Sequence, residues 1–341
     1  MIAIHNNLRD ASFQHRWVDY CKEQKIPFKL VDSFSNTIIE DIKDCTAFMW
    51  HFHQFDVKDI LMAKPLLFSL QQSGFTVFPD FNTAWHFDDK LAQKYLLEAL
   101  QIDLVKTWVF YDANTATKWI NETKFPKVFK LRGGAGSQNV QLVSSKENAN
   151  QLVKKAFGRG FPAYDGWESF KERYRKWRLG KADFKEVLKG IVRLAQPPRY
   201  ARVMGNESSY MYFQEFIPNN DSDIRIIVID GKAFGIKRMN RENDFRASGS
   251  GFIKYDKASI DEIFVKTAFS IHKILKAQCV AYDFVFDENR KPLLIEISYG
   301  FANAGYNDCV GYWDENLNWH EGKFNPYGWM VDLVLKQANG Q

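Results

Sequence analysis

Residues 281–298 read AYDFVFDENRKPLLIEIS. Two apolar runs, 281–286 and 292–298, flank the polar turn DENR, a pattern that predicts two adjacent strands of one hairpin. Each run carries one carboxylate among apolar neighbours, Asp283 in the first and Glu296 in the second. A charge in a core strand is costly unless it is paired or binds a metal, and a hard cation such as Mg²⁺ relieves the repulsion between adjacent carboxylates. The stretch therefore predicts either a metal site or buried salt bridges to Lys or Arg.

Two predicted strands upstream of this hairpin, at 223–229 and 232–239, carry charged side chains. Strand alternation places Asp223 and Arg225 on one face of the sheet, and Arg238 lies on the following strand. Cations that converge on one sheet face suit the recognition of a phosphate or a carboxylate. Surface salt bridges are the alternative that the sequence leaves open.

A glycine-rich turn joins two further predicted strands, at 126–131 and 140–143. The first strand carries Lys130, and the turn reads RGGAGSQN over residues 132–139. Glycines let a backbone approach phosphates closely, and N–H groups of a turn can bind them. The turn is not a Walker A loop, because no Gly-Lys-Ser/Thr follows and no helix begins there. It predicts either a phosphate-binding loop or a plain hairpin.

The N-terminal part of the chain alternates between apolar runs and helical spacing. Strands are predicted at 2–5, 28–31, 46–53 and 75–80, and helices at 11–24 and 57–74. Such alternation indicates a parallel sheet. A new unit opens near His86, with predicted helices at 91–100, 113–121, 260–276 and 326–337 and predicted strands at 107–111 and 211–217.

A helical, strongly basic segment interrupts this pattern at about 151–205. Between 151 and 202 there are fourteen Lys or Arg residues against five Asp or Glu. We interpret the segment as an insertion. It is either a solvated helical face or a basic lid over an anionic acceptor.

Two features stand outside these motifs. His51 and His53 lie on one face at the end of a predicted strand, where a metal pair, a substrate contact and structural histidines are the open alternatives. The stretch 306–329 is rich in aromatic side chains, at Tyr306, Tyr312, Trp313, Trp319, Tyr327 and Trp329. This aromatic cluster predicts either a stacking floor for a sugar or aromatic acceptor, or the packing of a long loop.

Composition and charge limit the classes of protein. The 341 residues are 45% hydrophobic and 26% charged, which is typical of a globular protein of two or three domains. A net charge of +5 is too small to predict nucleic-acid binding. No long apolar run and no signal-peptide pattern is present, so no membrane association is expected. Four cysteines without metal-ligand spacing favour a reduced, cytoplasmic protein.

From residue 89 to residue 298 these motifs follow one another in the order typical of the ATP-grasp superfamily. The chain most resembles its ribosomal-protein glutamate ligase type. The resemblance implies that Lys90 and Lys130 contact the phosphates of ATP. It implies that the glycine-rich turn covers these phosphates through Gly133, Gly134, Gly136 and Ser137. Residues 214–217 are similar to a hinge whose backbone meets the adenine edge, which assigns Glu215, Phe216 and Ile217 to the nucleotide.

The same resemblance assigns the reacting centre. It places Arg225 near the transferred phosphate and Arg238 beside the reacting atoms, together with the stretch Asp244-Phe245-Arg246. It makes Asp283 and Glu296 ligands of one or two Mg²⁺ ions. The sequence departs from the family pattern where Ser298 and Ser248 stand in place of Asn. Serine can still contact a Mg²⁺-bound water, so Ser298 is retained as a candidate metal residue.

The implied fold is α/β, with an N-terminal parallel-sheet (pre-ATP-grasp) domain at 1–85. A first ATP-grasp lobe at 86–210 carries the helical basic insertion, and a second lobe covers 211–341. The implied function is ATP- and Mg²⁺-dependent ligation of a small-molecule, peptide or saccharide carboxylate to an amine through an acyl phosphate. The alternatives are an ATP-grasp kinase that phosphorylates a hydroxyl of an anionic small molecule, and a non-catalytic nucleotide-binding protein. A dimer or tetramer is as compatible with the resemblance as a monomer.

Overall fold

The computed structural model describes residues 1–7, 9–134, 139–178, 180, 182–241, 244–247 and 251–340. The chain divides into two compact units. The first consists of Met1–Phe87, Tyr95–Leu104 and Ile217–Gln341, and the second of Asp88–Lys94 and Val105–Phe216.

A four-stranded parallel sheet opens the first unit, in the order β2-β1-β3-β4. Its elements are β1 (Ile2–His5), α1 (Gln14–Glu23), β2 (Phe28–Val31), α2 (Ile38–Asp41), β3 (Ala47–Met49), α3 (Val57–Gln72), β4 (Thr76–Phe78) and α4 (Phe81–Ala84). The predicted strand at 46–53 is shorter than expected, because the chain leaves the sheet after Met49. Asp56 begins α3 by accepting hydrogen bonds from the N–H groups of Lys58 and Asp59.

The second unit is built on an antiparallel sheet. The second unit takes only the start of α5 (Lys90–Ala99), whose residues from Tyr95 onward belong to the first unit. Its other elements are β5 (Thr107–Phe110), α6 (Ala113–Glu122), β6 (Lys127–Lys130), β7 (Val140–Val143), α7 (Lys146–Ala156), β8 (Phe161–Pro162), α8 (Gly166–Arg178), α9 (Phe184–Ala195), α10 (Arg199–Met204), β9 (Asn206–Glu207) and β10 (Met211–Glu215). The strand order is β5-β10-β6-β7. Buried residues of α6 and α7 pack with those of β6 and β10 in one core.

Helices α8 and α9 form a helical hairpin within the second unit. Ring contacts join Trp177 of α8 to Phe184 of α9, and Gly166 at the start of α8 lies against Leu194 near the end of α9. The two helices therefore run antiparallel. This hairpin occupies part of the predicted insertion at 151–205, whereas α7 contributes Ala149, Val153 and Ala156 to the core of the unit.

A large antiparallel sheet completes the first unit. Its elements are β11 (Ser222–Ile229), β12 (Lys232–Met239), β13 (Ile253–Lys254), a 3-10 helix (Lys257–Ser259), α11 (Glu262–Leu275), β14 (Cys279–Phe286), β15 (Pro292–Ser298), a second 3-10 helix (Asn303–Tyr306), β16 (Gly311–Asp314), β17 (Trp319–Glu321) and α12 (Pro326–Ala338). The strand order is β15-β14-β11-β12-β16-β17, with β13 paired to β12.

The two faces of this sheet have different neighbours. One face packs on α11 through residues such as Ile226, Phe264 and Tyr282. The other face contributes Ile227 and Ile236 to a core that also contains residues of α1 and α12. Toward the end of β11 where Asp223 lies, the second face becomes charged, because Asp223, Arg225 and Arg238 follow the apolar positions at two-residue spacing.

The predicted α/β class is confirmed, with a parallel N-terminal sheet followed by antiparallel sheets. The hairpin of β16 and β17 was not predicted. All four cysteine side chains are buried free thiols. No helix in the described ranges has the length and apolar character needed to cross a membrane.

Candidate active site

Three side chains of the first unit lie in one row across three neighbouring strands. Arg225 of β11 is in register with Asp283 of β14, and Asp283 is in register with Glu296 of β15. Residues directly opposite each other in antiparallel strands project on the same face. A β-bulge after Asp283 disturbs the pairing of β14 with β15 beside this row. The two carboxylates therefore stand side by side, as the sequence of the hairpin predicts.

Asp283 is held by two guanidinium groups. Arg225 donates to both carboxylate oxygens, with Nε–Oδ1 at 2.5 Å and Nη2–Oδ2 at 2.6 Å. Nη2 of Arg238 lies 3.0 Å from Oδ2 of Asp283. Arg238 also donates to the two oxygens of Asp223, at 2.6 and 2.7 Å. These four residues, Asp223, Arg225, Arg238 and Asp283, form an ion-pair network of alternating sign.

Burial makes this network electrostatically strong, since Arg238 and Asp283 expose only 6% and 8% of their surface. Burial by itself would raise the pKa of Asp283, but the guanidinium groups of Arg225 and Arg238 hold it well below its ordinary value. Burial raises the pKa of Asp223, which has one arginine partner and also faces the charge of Asp283. We therefore take Asp283 as the carboxylate that is ionised throughout the working pH range.

The structure shows buried salt bridges at Asp283, one of the two alternatives left open by the sequence. A metal ion could bind at the same position only if groups from outside the protein completed its coordination shell. Across the described ranges, no group of three or more His, Cys, Asp or Glu side chains is arranged to hold an ion. Mg²⁺ in nucleotide sites typically takes one or two carboxylates and completes its shell with phosphate and water. Two adjacent carboxylates such as Asp283 and Glu296 would therefore need oxygens of a nucleotide and of water to complete such a shell.

The remaining predicted residues of this region differ in what the structure shows. The hydroxyl of Ser298 donates to the carbonyl of Gly300 at 2.9 Å. Arg246 forms a two-pronged pair with Asp244, through Nε and Nη2 at 2.9 and 2.7 Å from Oδ2. Ser248 lies outside the described residues.

Both lysines predicted to contact ATP are buried in the second unit. Lys90 begins α5, and its Nζ donates to the carbonyl of Gly134 at 2.9 Å. Lys130 ends β6, and its Nζ donates to Oε1 of Gln214 on β10 at 2.6 Å. The structure thus places Lys90 beside the glycine-rich turn. Lys130 lies on β6, the strand that leads into this turn and pairs with β10.

Carboxylates hold the first residues of the glycine-rich turn. The N–H of Gly133 donates to Oε1 of Glu207 at 3.3 Å, and the N–H of Gly134 donates to Oδ1 of Asp88 at 2.9 Å. Gly134 has a φ of 118°, a conformation that favours glycine. Backbone N–H groups here bind oxygen anions of the protein itself, which is the chemistry that a phosphate requires. Gly136 and Ser137 lie outside the described residues.

Glu207 and Tyr210 were not predicted as part of this turn. The N–H of Arg132 donates to the Tyr210 hydroxyl at 2.6 Å, and that hydroxyl donates to Glu207. Both residues come long after the turn in sequence. No local motif connects them to it, so only the hydrogen bonds seen in the structure identify them.

The predicted hinge lies where the chain passes from one unit to the other. Glu215 ends β10 and its carboxylate accepts from Nζ of Lys127 at 2.7 Å. Phe216 is the last residue of the second unit, and Ile217 resumes the first. The Lys127–Glu215 pair was not predicted, although their strands were.

The two histidines and the aromatic cluster have structural partners. Nδ1 of His51 accepts from the N–H of Phe13 at 3.0 Å, and Nδ1 of His53 accepts from the N–H of Phe55 at 3.2 Å. In the aromatic cluster, Tyr306, Trp313 and Tyr327 are core residues, and Tyr312, Trp319 and Trp329 pack against the same cores. The cluster is thus the packing of a long C-terminal segment.

Comparison with known proteins supports the predicted family resemblance. A family model described as a RimK-like ATP-grasp domain matches residues 189–310, which include the whole ion-pair network and Glu296. The chain is 24% identical over 232 residues to the alpha-aminoadipate–LysW ligase LysX of Saccharolobus solfataricus (strain ATCC 35092 / DSM 1617 / JCM 11322 / P2), with 68% of each chain covered.

Solved structures share the fold. A RimK domain ATP-grasp protein from Sphaerobacter thermophilus DSM 20745 matches with a TM-score of 0.56 at 14% identity, covering 98% of this chain and 100% of its own. The ATP-grasp ligase PsnB, solved with a minimal precursor, Mg and ADP, matches with a TM-score of 0.55 at 11% identity, over 99% and 98% of the two chains. The same ligase has been solved with precursor peptide PsnA2 and AMPPNP. The comparisons thus confirm the predicted resemblance to the ATP-grasp superfamily and to its RimK-like ligase type, with the family model matching residues 189–310.

Proposed function

We propose that this chain is an ATP-dependent ligase that joins a carboxylate to an amine through an acyl phosphate. A carboxylate oxygen of the substrate attacks the γ-phosphorus of ATP, and ADP leaves. The amine nitrogen then attacks the carbonyl carbon, inorganic phosphate leaves, and the nitrogen loses a proton to form the amide. Both steps develop negative charge on oxygen, which fixed cations stabilise.

The observation that carries this proposal is the ion-pair network beside Glu296. Asp223 and Asp283 hold Arg225 and Arg238 in fixed positions, so the two guanidinium groups need not reorganise as charge develops. We assign Arg225 to the transferred phosphoryl group and Arg238 to the carbonyl oxygen during amine attack. Because Arg keeps its charge at every working pH, neither group acts as an acid or base.

We assign each part of the nucleotide, and its metal ion, to residues whose groups can bind it. Lys90 and Lys130 supply cations for the phosphates of ATP, and the glycine-rich turn supplies N–H groups through Gly133, Gly134, Gly136 and Ser137. The backbone of Glu215, Phe216 and Ile217 is assigned to the adenine. Asp283 and Glu296, with Ser298 nearby, are assigned to Mg²⁺. When bound with ATP, Mg²⁺ neutralises charge on the phosphates.

A polypeptide is the substrate class that the comparisons favour. The name of LysX pairs α-aminoadipate with LysW, and PsnB has been solved with a precursor peptide. We propose that this chain likewise uses an amino acid or a polypeptide as one partner, as the source of the carboxylate or of the amine. Small molecules and saccharides are the alternative substrates, to be tested beside amino acids and polypeptides.

Calorimetry of ATP binding with and without Mg²⁺ tests the nucleotide site. We expect Mg²⁺ to strengthen ATP binding by the wild type and Glu296→Gln to remove most of that gain. The control is Glu288→Gln, an exposed residue in the turn of the same hairpin, which should bind like wild type. Absence of ATP binding to the wild type would refute the proposed function.

Hydroxylamine tests the reaction itself, because it converts an acyl phosphate into a stable hydroxamate. A candidate acid, ATP and Mg²⁺ should give hydroxamate and ADP, and an amine should compete with hydroxylamine. ADP formation with a phosphorylated hydroxyl product and no hydroxamate would instead identify a kinase.

A further inference from the structure

The α8–α9 hairpin exposes a continuous apolar face. On α8, Trp167, Phe170, Tyr174 and Trp177 recur at helical spacing, and each ring contacts the next at centroid distances of 5.6–6.3 Å. Trp177 continues this row onto Phe184 of α9 at 5.4 Å. Trp167 exposes 61% of its surface.

Helix α9 extends the same face with aliphatic side chains. Phe184, Leu188, Ile191 and Val192 occupy one side of the helix at spacings of four, seven and eight residues, and each exposes 48–58% of its surface. In α8 no residue is buried, and in α9 only Val187 and Gly190 are. The four cores contain no described residue of either helix. An amphipathic helix pair with this much exposed apolar surface is typical of an interaction site.

The hairpin also carries an excess of positive charge. Residues 166–195 contain nine Lys or Arg against four Asp or Glu, an excess of five that equals the net charge of the whole chain. A second copy of the hairpin would present the same excess and would be repelled. The charge complement of this face is acidic.

The arrangement of the cations distinguishes an acidic protein from an acidic membrane. Glu168, Glu172 and Glu186 pair with five of the hairpin cations. Among the described residues of the hairpin, Arg178, Lys185 and Arg193 form no ion pair. They stand near the two ends of the apolar face, and Lys185 and Arg193 are about 12 Å apart along α9. Discrete cations at the ends of a short apolar stripe match side chains at defined positions better than a uniformly charged lipid surface.

Two antiparallel helices with adjacent apolar stripes also form an incomplete three-helix bundle. A third amphipathic helix fits between such stripes, anchored by apolar residues three or four positions apart. We propose that the α8–α9 hairpin is the docking surface for an acidic amphipathic helix of the polypeptide substrate. The assignment of the helix to the substrate rests on the proposed function, whereas the docking surface itself does not.

A synthetic helical peptide with leucines at heptad positions and glutamates elsewhere is the probe. Its binding to the full chain is measured by fluorescence anisotropy without ATP. We expect saturable binding that weakens about tenfold or more in the double variant Leu188→Ser/Ile191→Ser, because exposed apolar anchors dominate such interfaces. Lys185→Glu/Arg193→Glu should weaken binding similarly and reduce its salt dependence.

The matched control is Leu61→Ser, an apolar residue that exposes 68% of its surface on α3. It should bind the peptide like wild type. All these positions are exposed, so circular dichroism and ATP binding should be unchanged in every variant. The same peptide with lysines in place of glutamates should not bind.

Three results would overturn the inference. They are no binding of the acidic peptide, co-sedimentation with vesicles of phosphatidylserine and phosphatidylcholine that Leu188→Ser/Ile191→Ser abolishes, and a dimer in light scattering that the same substitutions dissociate. Failure of the proposed function has a different signature. Peptide binding at the hairpin without hydroxamate formation would refute ligation alone, and ligation with no hairpin binding would refute docking alone.

Discussion

Asp283 and Glu296 face each other across β14 and β15, yet their surroundings differ. Asp283 accepts from two arginines and is buried, whereas Glu296 is partly exposed. Asp283 therefore has two arginine partners within the protein, and the proposed function adds Mg²⁺ as another partner. Substitution can separate these two roles at the level of single side chains.

Asp283→Asn should destabilise the protein by about 3–5 kcal/mol, because it leaves two buried guanidinium groups with one carboxylate between them. Glu296→Gln should change the free energy of unfolding by less than about 1 kcal/mol. Urea denaturation measures both. Equal destabilisation by the two substitutions would contradict the difference in their surroundings.

Glu207 accepts from the N–H groups of Arg132 and Gly133, and the N–H of Gly133 is one that the proposed function assigns to the phosphates of ATP. Glu207→Gln keeps the shape of the side chain but offers one acceptor oxygen instead of two. We expect ATP to bind more tightly, by at most about an order of magnitude, since one such hydrogen bond contributes about 0.5–1.5 kcal/mol. Calorimetry measures the change, and the exposed Glu122→Gln on α6 is the control. Weaker ATP binding in Glu207→Gln would show that the carboxylate orders the turn for ATP instead of competing with it.

At the scale of elements, Gly235 lets β12 pack directly against β11. A Cβ there would lie 2.8 Å from the carbonyl oxygen of Arg225 and 2.6 Å from the side chain of Ile226. A methyl group would therefore push β12 away from β11 beside the ion-pair network. Glycine is required at this position for close backbone approach.

Gly235→Ala should destabilise the protein by about 1–3 kcal/mol and weaken Mg²⁺-dependent ATP binding. Thermal unfolding and calorimetry measure the two effects. Gly305→Ala is the matched control, since a Cβ at Gly305 has no atom within 4 Å. A Gly235→Ala protein as stable as Gly305→Ala would show that the two strands adjust without cost.

The sequence predicts the elements where its periodicity is strong. The strands that carry Asp283 and Glu296 pair as their apolar runs predict, and α3 spans Val57–Gln72 against a prediction of 57–74. Apolar periodicity does not report which partner a buried charge chooses. The sequence could therefore place Asp283 on a core strand, but not decide between arginine and metal as its counter-charge.

Contacts between distant segments are harder still to predict. Glu207 reaches the glycine-rich turn across 74 residues of sequence, and Arg225 reaches Asp283 across 58. The contact between Arg225 and Asp283 could have been predicted, because both residues lie on predicted strands. The contact of Glu207 with the turn could not, because the strand that carries Glu207, β9, has two residues and no periodicity.

At the scale of the whole molecule, four buried histidines contribute to the response to acid. Burial lowers the pKa of His51 to about 3 and the pKa values of His5, His53 and His272 to about 4, from 6.5. The unfolded chain takes up these protons below pH 6.5, while the folded chain does so only near pH 4 or below. The contribution of these four histidines to stability is therefore complete above about pH 6.5 and is lost as the pH decreases through that window.

His51→Gln should reduce this acid sensitivity. The glutamine carbonyl can accept from the N–H of Phe13 as Nδ1 of His51 does, but it does not titrate. The slope of the unfolding free energy against pH between about 6 and 4 should fall by about one proton, or about 1.4 kcal/mol per pH unit. Urea denaturation across this range measures the slope, and an unchanged slope would contradict the assignment.

One core of the first unit joins the two extremes of the printed sequence. It contains Ile2 and Ile4 of β1 together with Met330 and Val334 of α12, and the hydroxyl of Tyr20 donates to Asp332 at 2.9 Å. During synthesis on a ribosome, β1 emerges more than three hundred residues before α12, which covers it in the folded protein. The residues of the second unit lie within that interval. The parallel sheet at the start of the chain is thus the part that a nascent-chain chaperone would have to shelter longest.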